Sequence, residues 1–126
     1  MQQVDNKIKS FTDLSTWQES HKFVLEIYKT VKGFPEIENF GLSSQMRRAA
    51  VSVTSNIAEG FSRKTPKDKT HFYRMSQGSV TELQSQLLIA RDLGYVGRDC
   101  FDSISEISIT CHKLLTGLIK AVEREG

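Results

Sequence analysis

The fold is decided by residues 43–63, which read SSQMRRAAVSVTSNIAEGFSR. Apolar side chains recur in this stretch at intervals of three and four residues, which is the period of an α-helix that buries one face. Residues 51–54 alternate like a strand, but the alternation is brief and no turn signals flank it. The stretch is therefore predicted to be one amphipathic helix, with a buried stripe formed by Met46, Ala49, Ala50, Val53, Ile57 and Phe61.

The sequence before this stretch predicts a first helix. Residues 15–18, Ser-Thr-Trp-Gln, match the capping box that opens many helices. Gly33 and Pro35 supply the usual stop signals. The predicted buried face of this helix comprises Leu14, Trp17, His21, Val24, Leu25, Tyr28 and Val31.

The sequence after it predicts two further helices. The third starts with Thr65 as N-cap and Pro66 in the first turn, and it stops at Gly94. Asp99 opens the fourth. The predicted buried residues are Phe72, Met75, Leu83, Leu87, Ala90 and Leu93 in the third helix and Phe101, Ile104, Ile107, Cys111, Leu114, Leu115, Leu118 and Val122 in the fourth.

The chain of 126 residues, 38% of them hydrophobic and only two of them proline, has the size of one compact domain. We assign that domain to residues 11–126 and expect residues 1–10 to be a flexible polar segment. Because the connections are short, successive helices run antiparallel, so the predicted fold class is all-α, an up-down-up-down four-helix bundle. No stretch offers the roughly 20 apolar residues of a membrane span, and the start lacks the pattern of a secretory signal. We therefore expect a cytoplasmic protein without a membrane partner.

Positive charge is concentrated in the middle of the chain. The net charge is +2, but the segment from Arg47 to Arg74 carries seven basic and two acidic residues, so the rest of the chain is net negative. A basic segment in an otherwise acidic chain is typical of proteins that bind nucleic acid. The predicted nucleic-acid-binding residues are Arg47, Arg63, Lys64, Lys67, Lys69, Tyr73 and Arg74, with Tyr73 as the aromatic side chain that stacks on a base.

Bundle topology predicts that positive charge is concentrated at one end of the molecule. The start of the first helix, the second turn and the end of the fourth helix meet at one end, which adds Lys7, Lys9, Lys120 and Arg124 to the basic bend. The opposite end holds six carboxylates against four cations; the carboxylates are those of Glu26, Glu36, Glu38, Asp92, Asp99 and Asp102, and the cations are Lys29, Lys32, Arg91 and Arg98. Scattered, solvated lysines are the alternative explanation of this charge.

Short polar side chains form a second stripe on the second helix. A solvated face is usually rich in Lys and Glu, so this composition indicates contact with another surface. With a turn near residue 65, antiparallel partners have numbers that sum to about 130, which predicts an Arg48–Glu82 ion pair and a close backbone approach at Gly78. The predicted structural polar network comprises Gln45, Arg48, Ser52, Asn56, Glu59, Ser79, Glu82 and Gln86.

The sequence lacks the short motifs of the common enzyme classes. It contains no P-loop, Rossmann glycine pattern, G-x-S-x-G or H-E-x-x-H sequence, and no Glu is followed three residues later by His, as a di-iron bundle requires. Cys100 and Cys111 are too far apart on one helix for a disulfide. We therefore predict no enzyme, no catalytic residue, no metal site and no cofactor. A hydrolase built on Glu59, Glu82 and His71 ranks last, because arginines near both carboxylates would hold them ionised.

One long ungapped run in the second helix, continued at a few positions elsewhere, matches the pattern of a known family. The matching positions are Leu14, Trp17-Gln18, Phe34-Pro35, Gly41-Leu42, Gln45, Arg47-Arg48-Ala49-Ala50, Ser52, Asn56-Ile57-Ala58-Glu59-Gly60-Phe61, Arg63, Gly78-Ser79, Glu82-Leu83, Leu93 and Tyr95. From Phe11 to Tyr95 the chain thereby resembles the four-helix-bundle proteins encoded in intervening sequences of bacterial 23S ribosomal RNA genes. Where members of that family commonly carry Ile-Pro, this chain has Val53-Thr54, which should straighten the second helix.

The resemblance implies a left-handed up-down bundle whose subunits assemble as homopentamers, and a role with RNA or DNA. The chain is also similar to the accessory proteins of diversity-generating retroelements, which form basic barrels that bind nucleic acid and a reverse transcriptase. Neither resemblance implies a catalytic site.

Two functions remain open at this point. The leading hypothesis is a non-enzymatic, homo-oligomeric bundle that binds RNA or DNA through the basic turn between the second and third helices. The alternative is a protein-interaction scaffold, in which the polar stripe with Val51, Thr54 and Ala58 forms subunit or partner contacts and nucleic acid has no direct role.

Overall fold

The computed structural model describes residues 7–126, which form four long helices and no strand. The helices are α1 (Ser15–Val31), α2 (Leu42–Ser62), α3 (Pro66–Asp92) and α4 (Arg98–Glu125). Two single-turn 3-10 helices, Phe11–Asp13 and Glu36–Glu38, precede α1 and α2. Of the segment 1–10 predicted to be flexible, residues 1–6 lie outside the described residues. The all-α prediction is confirmed.

The caps explain where several helices begin and end. The Thr65 side chain accepts a hydrogen bond from the backbone of Asp68 at 3.1 Å, and Pro66 stands in the first turn of α3, both as predicted. The positive φ of Gly94, +79°, is the left-handed conformation that favours glycine just beyond a helix. The capping box predicted at residues 15–18 is wrong. The box lies at Ser10 and Asp13, where it opens the first 3-10 helix.

Successive helices run antiparallel in a closed ring of four. Along α2 and α3, Phe61 contacts Lys69 and Ser52 contacts Ser79, so residue numbers rise on one helix as they fall on the other. Side-chain contacts between α3 and α4 follow the same rule. So do the contacts of Thr16 with Leu114 and of Thr30 with Cys100 between α1 and α4. Within the described residues, α1 packs on α2 and α4 but not on α3, and α2 does not pack on α4. This arrangement is the predicted four-helix bundle.

The buried stripe of α2 is close to the predicted one. Its apolar buried residues are Met46, Ala49, Ala50, Val53 and Ile57, and Phe61 is half-buried. Burial of this face against the neighbouring helices supplies the main stabilisation of the helix, since isolated helices of this length are marginal in water.

The buried face of α1 differs from the predicted one. Phe23 and Ile27, which the prediction left out, are fully buried, whereas His21, Leu25 and Tyr28 are exposed. The predicted stripe therefore follows the flank of α1 rather than the centre of its buried face.

Small hydroxyl side chains are the reason for this error. Thr16 of α1 donates a hydrogen bond to the backbone oxygen of Leu114 in α4, and Ser20 lies against Cys111. Both α1 residues are buried, so part of the surface that α1 turns toward α4 is polar by residue type. An apolar pattern does not register such positions, which displaced the predicted face.

The predicted cores of α3 and α4 are correct at their centres and wrong at two positions. Leu83, Leu87 and Ala90 are buried in α3, while Met75 and Leu93 lie at the surface. In α4 the four buried residues of the prediction are Ile104, Cys111, Leu115 and Val122, and the remaining predicted residues are half-buried.

Glu38 fastens the two loops at the end of the bundle opposite the α2–α3 bend. Its carboxylate accepts a hydrogen bond from the backbone N–H of Leu42 at 3.0 Å and another from the hydroxyl of Tyr95 at 2.9 Å. The first bond satisfies an amide of the first turn of α2, which has no partner within the helix. The hydrogen bond to Glu38 raises the pKa of Tyr95.

Candidate nucleic-acid interface

The bend between α2 and α3 is short and exposed. Residues 63–65 alone make the reversal between Ser62 and Pro66. All residues from 62 to 68 are exposed. Because capped helices support the bend on both sides, it presents its side chains to solvent from a fixed backbone.

A close contact at Gly60 explains why the helices can approach each other next to the bend. A Cβ atom at this position would lie 2.7 Å from Cε1 of Tyr73 and 3.1 Å from the backbone oxygen of Lys69. The Tyr73 ring, which is only 2% exposed, fills the space that a side chain would need. The prediction that Tyr73 stacks on a base is therefore wrong, because its ring packs in the core.

Two other aromatic rings lie half-buried beside the bend, each with a cation over its face. Nζ of Lys69 is 5.4 Å from the ring centroid of Phe61, and Cζ of Arg63 is 4.7 Å from that of Phe72. The ring quadrupole attracts a cation in this position. These rings, which the sequence assigned to the core, form the border between the core and the basic surface.

Lys69 helps to build the bend. Its Nζ donates to the backbone oxygens of Phe61 at 2.7 Å and Gly60 at 3.5 Å. These carbonyls belong to the last turn of α2, where the helix dipole favours a cation. The Gly60 oxygen also accepts from the backbone N–H of Arg63 at 3.1 Å. The charge of Lys69 adds to the positive potential of the bend, but its ammonium group already donates hydrogen bonds to the backbone of α2.

Two arginines of the predicted interface are paired with carboxylates. Arg63, the first residue of the bend, contacts Glu59 of α2 at 2.6 Å, and Arg74 contacts Glu123 of α4 at 2.6 Å. All four side chains are about half exposed, so each ion pair contributes between zero and about 1 kcal/mol to stability. Each arginine can therefore readily exchange its carboxylate partner for another anion.

Lys64 and Lys67 are exposed cations of the bend that have no acidic partner. Within residues 7–126, no carboxylate oxygen lies within 4.0 Å of either Nζ. Arg47 has no such partner either, but it stands in the second turn of α2, roughly 24 Å along the helix from the bend. It lines a groove with Lys32 of α1, so the structure separates Arg47 from the other predicted binding residues.

The last turn of α4 lies beside the bend. Thr65, Pro66 and Lys67 line one shallow groove together with Glu123 of α4. Lys120 and Arg124 therefore belong to this end of the bundle. Four carboxylates lie in the same region, on Glu59, Asp68, Glu123 and Glu125, and they reduce the local surplus of positive charge.

The segment before α1 adds two lysines at the surface. Lys7 and Lys9 are exposed and flank Ile8, which lines a groove with Gly117 and Leu118 of α4. The segment thus lies against the second half of α4, the half that leads to the bend.

The predicted polar network forms in part. Ser79 donates to Ser52 across the α2–α3 contact at 2.8 Å, and Asn56 donates to the hydroxyl of Ser52 at 2.9 Å. Glu82 accepts from Gln86 at 3.0 Å within α3. The Ser52–Ser79 hydroxyl pair therefore connects α2 with α3, and the other two bonds stay within one helix.

The predicted Arg48–Glu82 ion pair is wrong. The register that predicted it is correct, since the numbers of Ser52 and Ser79 sum to about 130. Both charged side chains are exposed, however, and Glu82 bonds to Gln86 instead. A Cβ atom at Gly78 would meet nothing within 4 Å, so the predicted backbone approach at that position is also wrong.

Polar contacts that the sequence pattern did not predict hold α3 against its neighbours. The buried hydroxyl of Ser76 donates to the backbone oxygen of Val53 at 2.7 Å. Gln77 and Gln84 donate to Thr116 and Ser108 of α4. The signal for the two glutamines was their spacing of seven residues, which places both on one face of α3.

The sequence profile of the 23S rRNA-intervening sequence proteins matches residues 12–117. The chain belongs to this family. A solved structure described as a protein with unknown function from the S23 ribosomal protein family of Bacteroides thetaiotaomicron is 24% identical, with a TM-score of 0.77. The match covers 83% of this chain and 95% of that one, and it shows a shared fold. No curated protein matches the chain.

Within the described part of this intervening-sequence family member, the titratable side chains that the sequence singled out are spread over separate contacts. Residues 7–126 hold no group of three or more His, Cys, Asp or Glu side chains able to bind a metal ion. Glu59 pairs with Arg63 and Glu82 with Gln86, while His71 packs edge-on against Phe72. None of the described helices has the length and apolar content needed to cross a membrane.

Proposed function

We propose that the protein is a non-enzymatic, homo-oligomeric, cytoplasmic bundle that binds RNA or DNA through the phosphate backbone. The binding surface is the α2–α3 bend. The observation that carries the proposal is the exposure of Lys64 and Lys67 on a capped, rigid bend with no carboxylate within reach.

Exposed lysines that have no acidic partner are well suited to bind phosphate. A lysine that is not paired within the protein binds a phosphate without first giving up a protein contact. Arg63 and Arg74 can join by exchanging exposed carboxylates for phosphates, at the small cost of a surface ion pair. The contacts are to the backbone, so the surface distinguishes poorly between base sequences.

The rings of Phe61 and Phe72 replace Tyr73 as the aromatic part of this surface. Each is half-buried and already carries a cation over one face. Stacking on a base would compete with these cations, so we assign the two rings a supporting role and the phosphate contacts the main one.

The salt dependence of binding tests the proposal. The full chain is titrated against a fluorescent 20-nucleotide oligouridylate and a fluorescent 20-base-pair DNA at several salt concentrations. Each phosphate contact contributes about 0.7–0.9 to the slope of log affinity against log salt. The double variant Lys64→Ala with Lys67→Ala should therefore flatten the slope by about 1.4–1.8.

The matched control is Lys22→Ala with Lys29→Ala, which removes the same charge from α1. Both control lysines sit in exposed ion pairs with Glu19 and Glu26. The control should leave the slope unchanged. Equal slopes for the bend variant, the control and the wild type, or no binding by the wild type, would contradict the proposal.

The scaffold alternative is favoured by the apolar residues of the α1–α2 loop. Phe40 is fully exposed and Ile37 nearly so. A protein partner retained on the purified chain after nuclease treatment, and lost with Phe40→Ser, would support this alternative if the bend variant also leaves the salt slope unchanged.

A further inference from the structure

The α2/α3 face of the bundle carries a row of polar side chains. Residues 48, 52 and 56 of α2 and residues 79, 82 and 86 of α3 recur at intervals of three and four, which puts each set on one side of its helix. The hydrogen bond of 2.8 Å from Ser79 to Ser52 joins the two sets. We call this surface the polar row, and it comprises Arg48, Ser52, Asn56, Ser79, Glu82 and Gln86.

Gly78 leaves a depression beside the Ser52–Ser79 contact. A Cβ atom at this exposed position would meet nothing within 4 Å, so no side chain of the described residues fills the space. Glycine destabilises a helix interior, and a glycine kept there usually allows the backbone and another group to come close together. Because the chain itself does not make that approach, a molecule from outside can reach the backbone of α3 at Gly78.

The polar row also contains hydrogen-bonding groups that the fold does not use. Within residues 7–126, Arg48 has no carboxylate oxygen within 4.0 Å. Gln86 is 6% exposed and its amide nitrogen donates to Glu82 at 3.0 Å, but its Oε1 atom has no hydrogen-bond donor among the described residues. Native proteins rarely leave a buried acceptor without a donor. The row therefore offers an outside molecule both an unpaired cation and an unpaired acceptor.

The polar row begins beside the basic bend. Arg63, the first residue of the bend, lies over the ring of Phe72, with Cζ 4.7 Å from the ring centroid. From Arg63 to Arg48 the face extends for roughly 22 Å along α2. A stacked strand of nucleic acid advances about 3.4 Å per nucleotide, so roughly six nucleotides span this distance. A strand held by its phosphates at Lys64 and Lys67 can therefore continue along the row.

The charge and the width of this face favour the bases of an unpaired strand. Beyond the first turn of α3, Arg48 and Arg63 balance Glu59 and Glu82, so the face lacks the positive surplus that attracts phosphates. Carboxylates and arginines are also side chains that hydrogen-bond to base edges. Two neighbouring helices, each about 10 Å across, are together wider than the major groove of about 12 Å, so the face cannot enter a duplex to reach its bases.

We propose that one unpaired strand of RNA or DNA lies along the α2/α3 face, with its phosphates at the bend and its bases on the polar row. The strand comes closest to the protein at Gly78. Glu82 accepts hydrogen bonds from the amino groups of bases, and Arg48 donates to base oxygens and ring nitrogens. The proposal rests on the proposed function and adds the strandedness of its ligand.

Gly78→Leu tests the row because it fills the depression and removes no charge. The probes are a fluorescent 20-nucleotide DNA strand of mixed sequence and the duplex that this strand forms with its complement. We expect the wild-type chain to bind the strand at least tenfold more tightly than the duplex. Gly78→Leu should weaken binding of the strand at least tenfold, and it should leave both the duplex affinity and the salt slope unchanged.

Gly117→Leu is the matched control. Gly117 is also an exposed glycine inside a helix, α4, and a Cβ atom there would meet nothing within 4 Å. It belongs to a different side of the bundle, where it lines a groove with Ile8. The control should keep the wild-type affinities for strand and duplex. An equal loss in the control, a Gly78→Leu chain that binds the strand as the wild type does, or a wild type that binds strand and duplex equally would overturn the proposed path.

Arg48→Gln with Glu82→Gln provides a second test, because the two changes together leave the net charge of the chain unaltered. The affinity for the strand should fall at least fivefold, while the salt slope and the duplex affinity stay at their wild-type values. An unchanged strand affinity in this folded double variant contradicts the contacts assigned to the row.

The bend and the polar row can be tested apart. A wild-type chain that binds neither probe would contradict the proposed function itself. If Lys64→Ala with Lys67→Ala flattens the salt slope while Gly78→Leu matches the wild type, the bend is supported and the row is rejected.

Discussion

At the scale of single residues, two glycines in helix interiors have opposite surroundings. Gly60 faces the buried ring of Tyr73, whereas Gly78 faces open space. A glycine inside a helix costs about 1 kcal/mol relative to alanine. The contact with Tyr73 explains why Gly60 is present in spite of this cost. No contact within one chain explains the presence of Gly78.

Alanine substitutions should separate the two sites. Gly60→Ala forces the methyl group against a packed ring and a backbone oxygen, so we expect the free energy of unfolding to fall by about 1–3 kcal/mol. Gly78→Ala should raise it by up to about 1 kcal/mol. Urea unfolding followed by circular dichroism measures both. Equal effects of the same sign would contradict the assignment of the Tyr73 contact.

At the scale of the elements, Glu38 joins three pieces of the chain. It satisfies the first turn of α2 and holds Tyr95 of the α3–α4 loop, so one carboxylate fixes the relative position of two connections. Neighbouring Glu36 is exposed, and its side chain makes no hydrogen bond within the described residues.

Glu38→Ala should lower the free energy of unfolding by about 1–2 kcal/mol, because an amide and a hydroxyl lose their acceptor. Glu36→Ala, which removes the same charge, should change it by less than about 0.5 kcal/mol. The pKa of Tyr95 should fall toward its ordinary value in Glu38→Ala and not in Glu36→Ala, as ultraviolet titration would reveal. Identical behaviour of the two variants would argue against the bridge.

The sequence predicts an element correctly where one local signal, such as an apolar pattern or a cap, determines it. It does not do so where a buried face combines apolar and polar side chains. The α2 stripe was predictable because its buried residues after Ser43 are apolar or glycine, and the Thr65 cap because side chain and backbone act locally. The α1 face was not, because buried Thr16 and Ser20 carry no apolar signal.

The candidate site also has features that the sequence predicts and features that it does not. The exposed bend and its lysines follow from chain order and charge. The burial of Tyr73 and the absence of an Arg48–Glu82 pair depend on rotamers and helix rotation, which residue spacing alone does not determine.

At the scale of the whole molecule, two buried groups make stability depend on alkaline pH. Burial raises the pKa of Tyr73 from 10.0 to about 12 and that of Cys111 from 9.0 to about 11. In both cases the folded chain holds its proton to higher pH than the unfolded chain does. Their contribution to stability is therefore complete below pH 9 and is lost as the pH rises toward 12.

Each group should account for about 1–3 kcal/mol of lost stability across this window, since one pKa unit corresponds to about 1.4 kcal/mol. Urea unfolding at pH 8 and pH 11 measures the loss. Tyr73→Phe and Cys111→Ala should each make stability depend less on pH, whatever they do to stability at pH 8. A loss of full size in both variants would exclude these groups as its source.

The three-residue bend between α2 and α3 also bears on the order in which the chain assembles. A short connection brings these two helices together at little cost in chain entropy. The hydrogen bond from Thr16 to Leu114, by contrast, spans 98 residues. We therefore expect the α2–α3 hairpin to form early in folding and the seam between α1 and α4 to close last. Because α1 is the shortest of the four helices, with 17 residues, and borders the seam that closes last, it is the helix whose amides should exchange first with solvent deuterium.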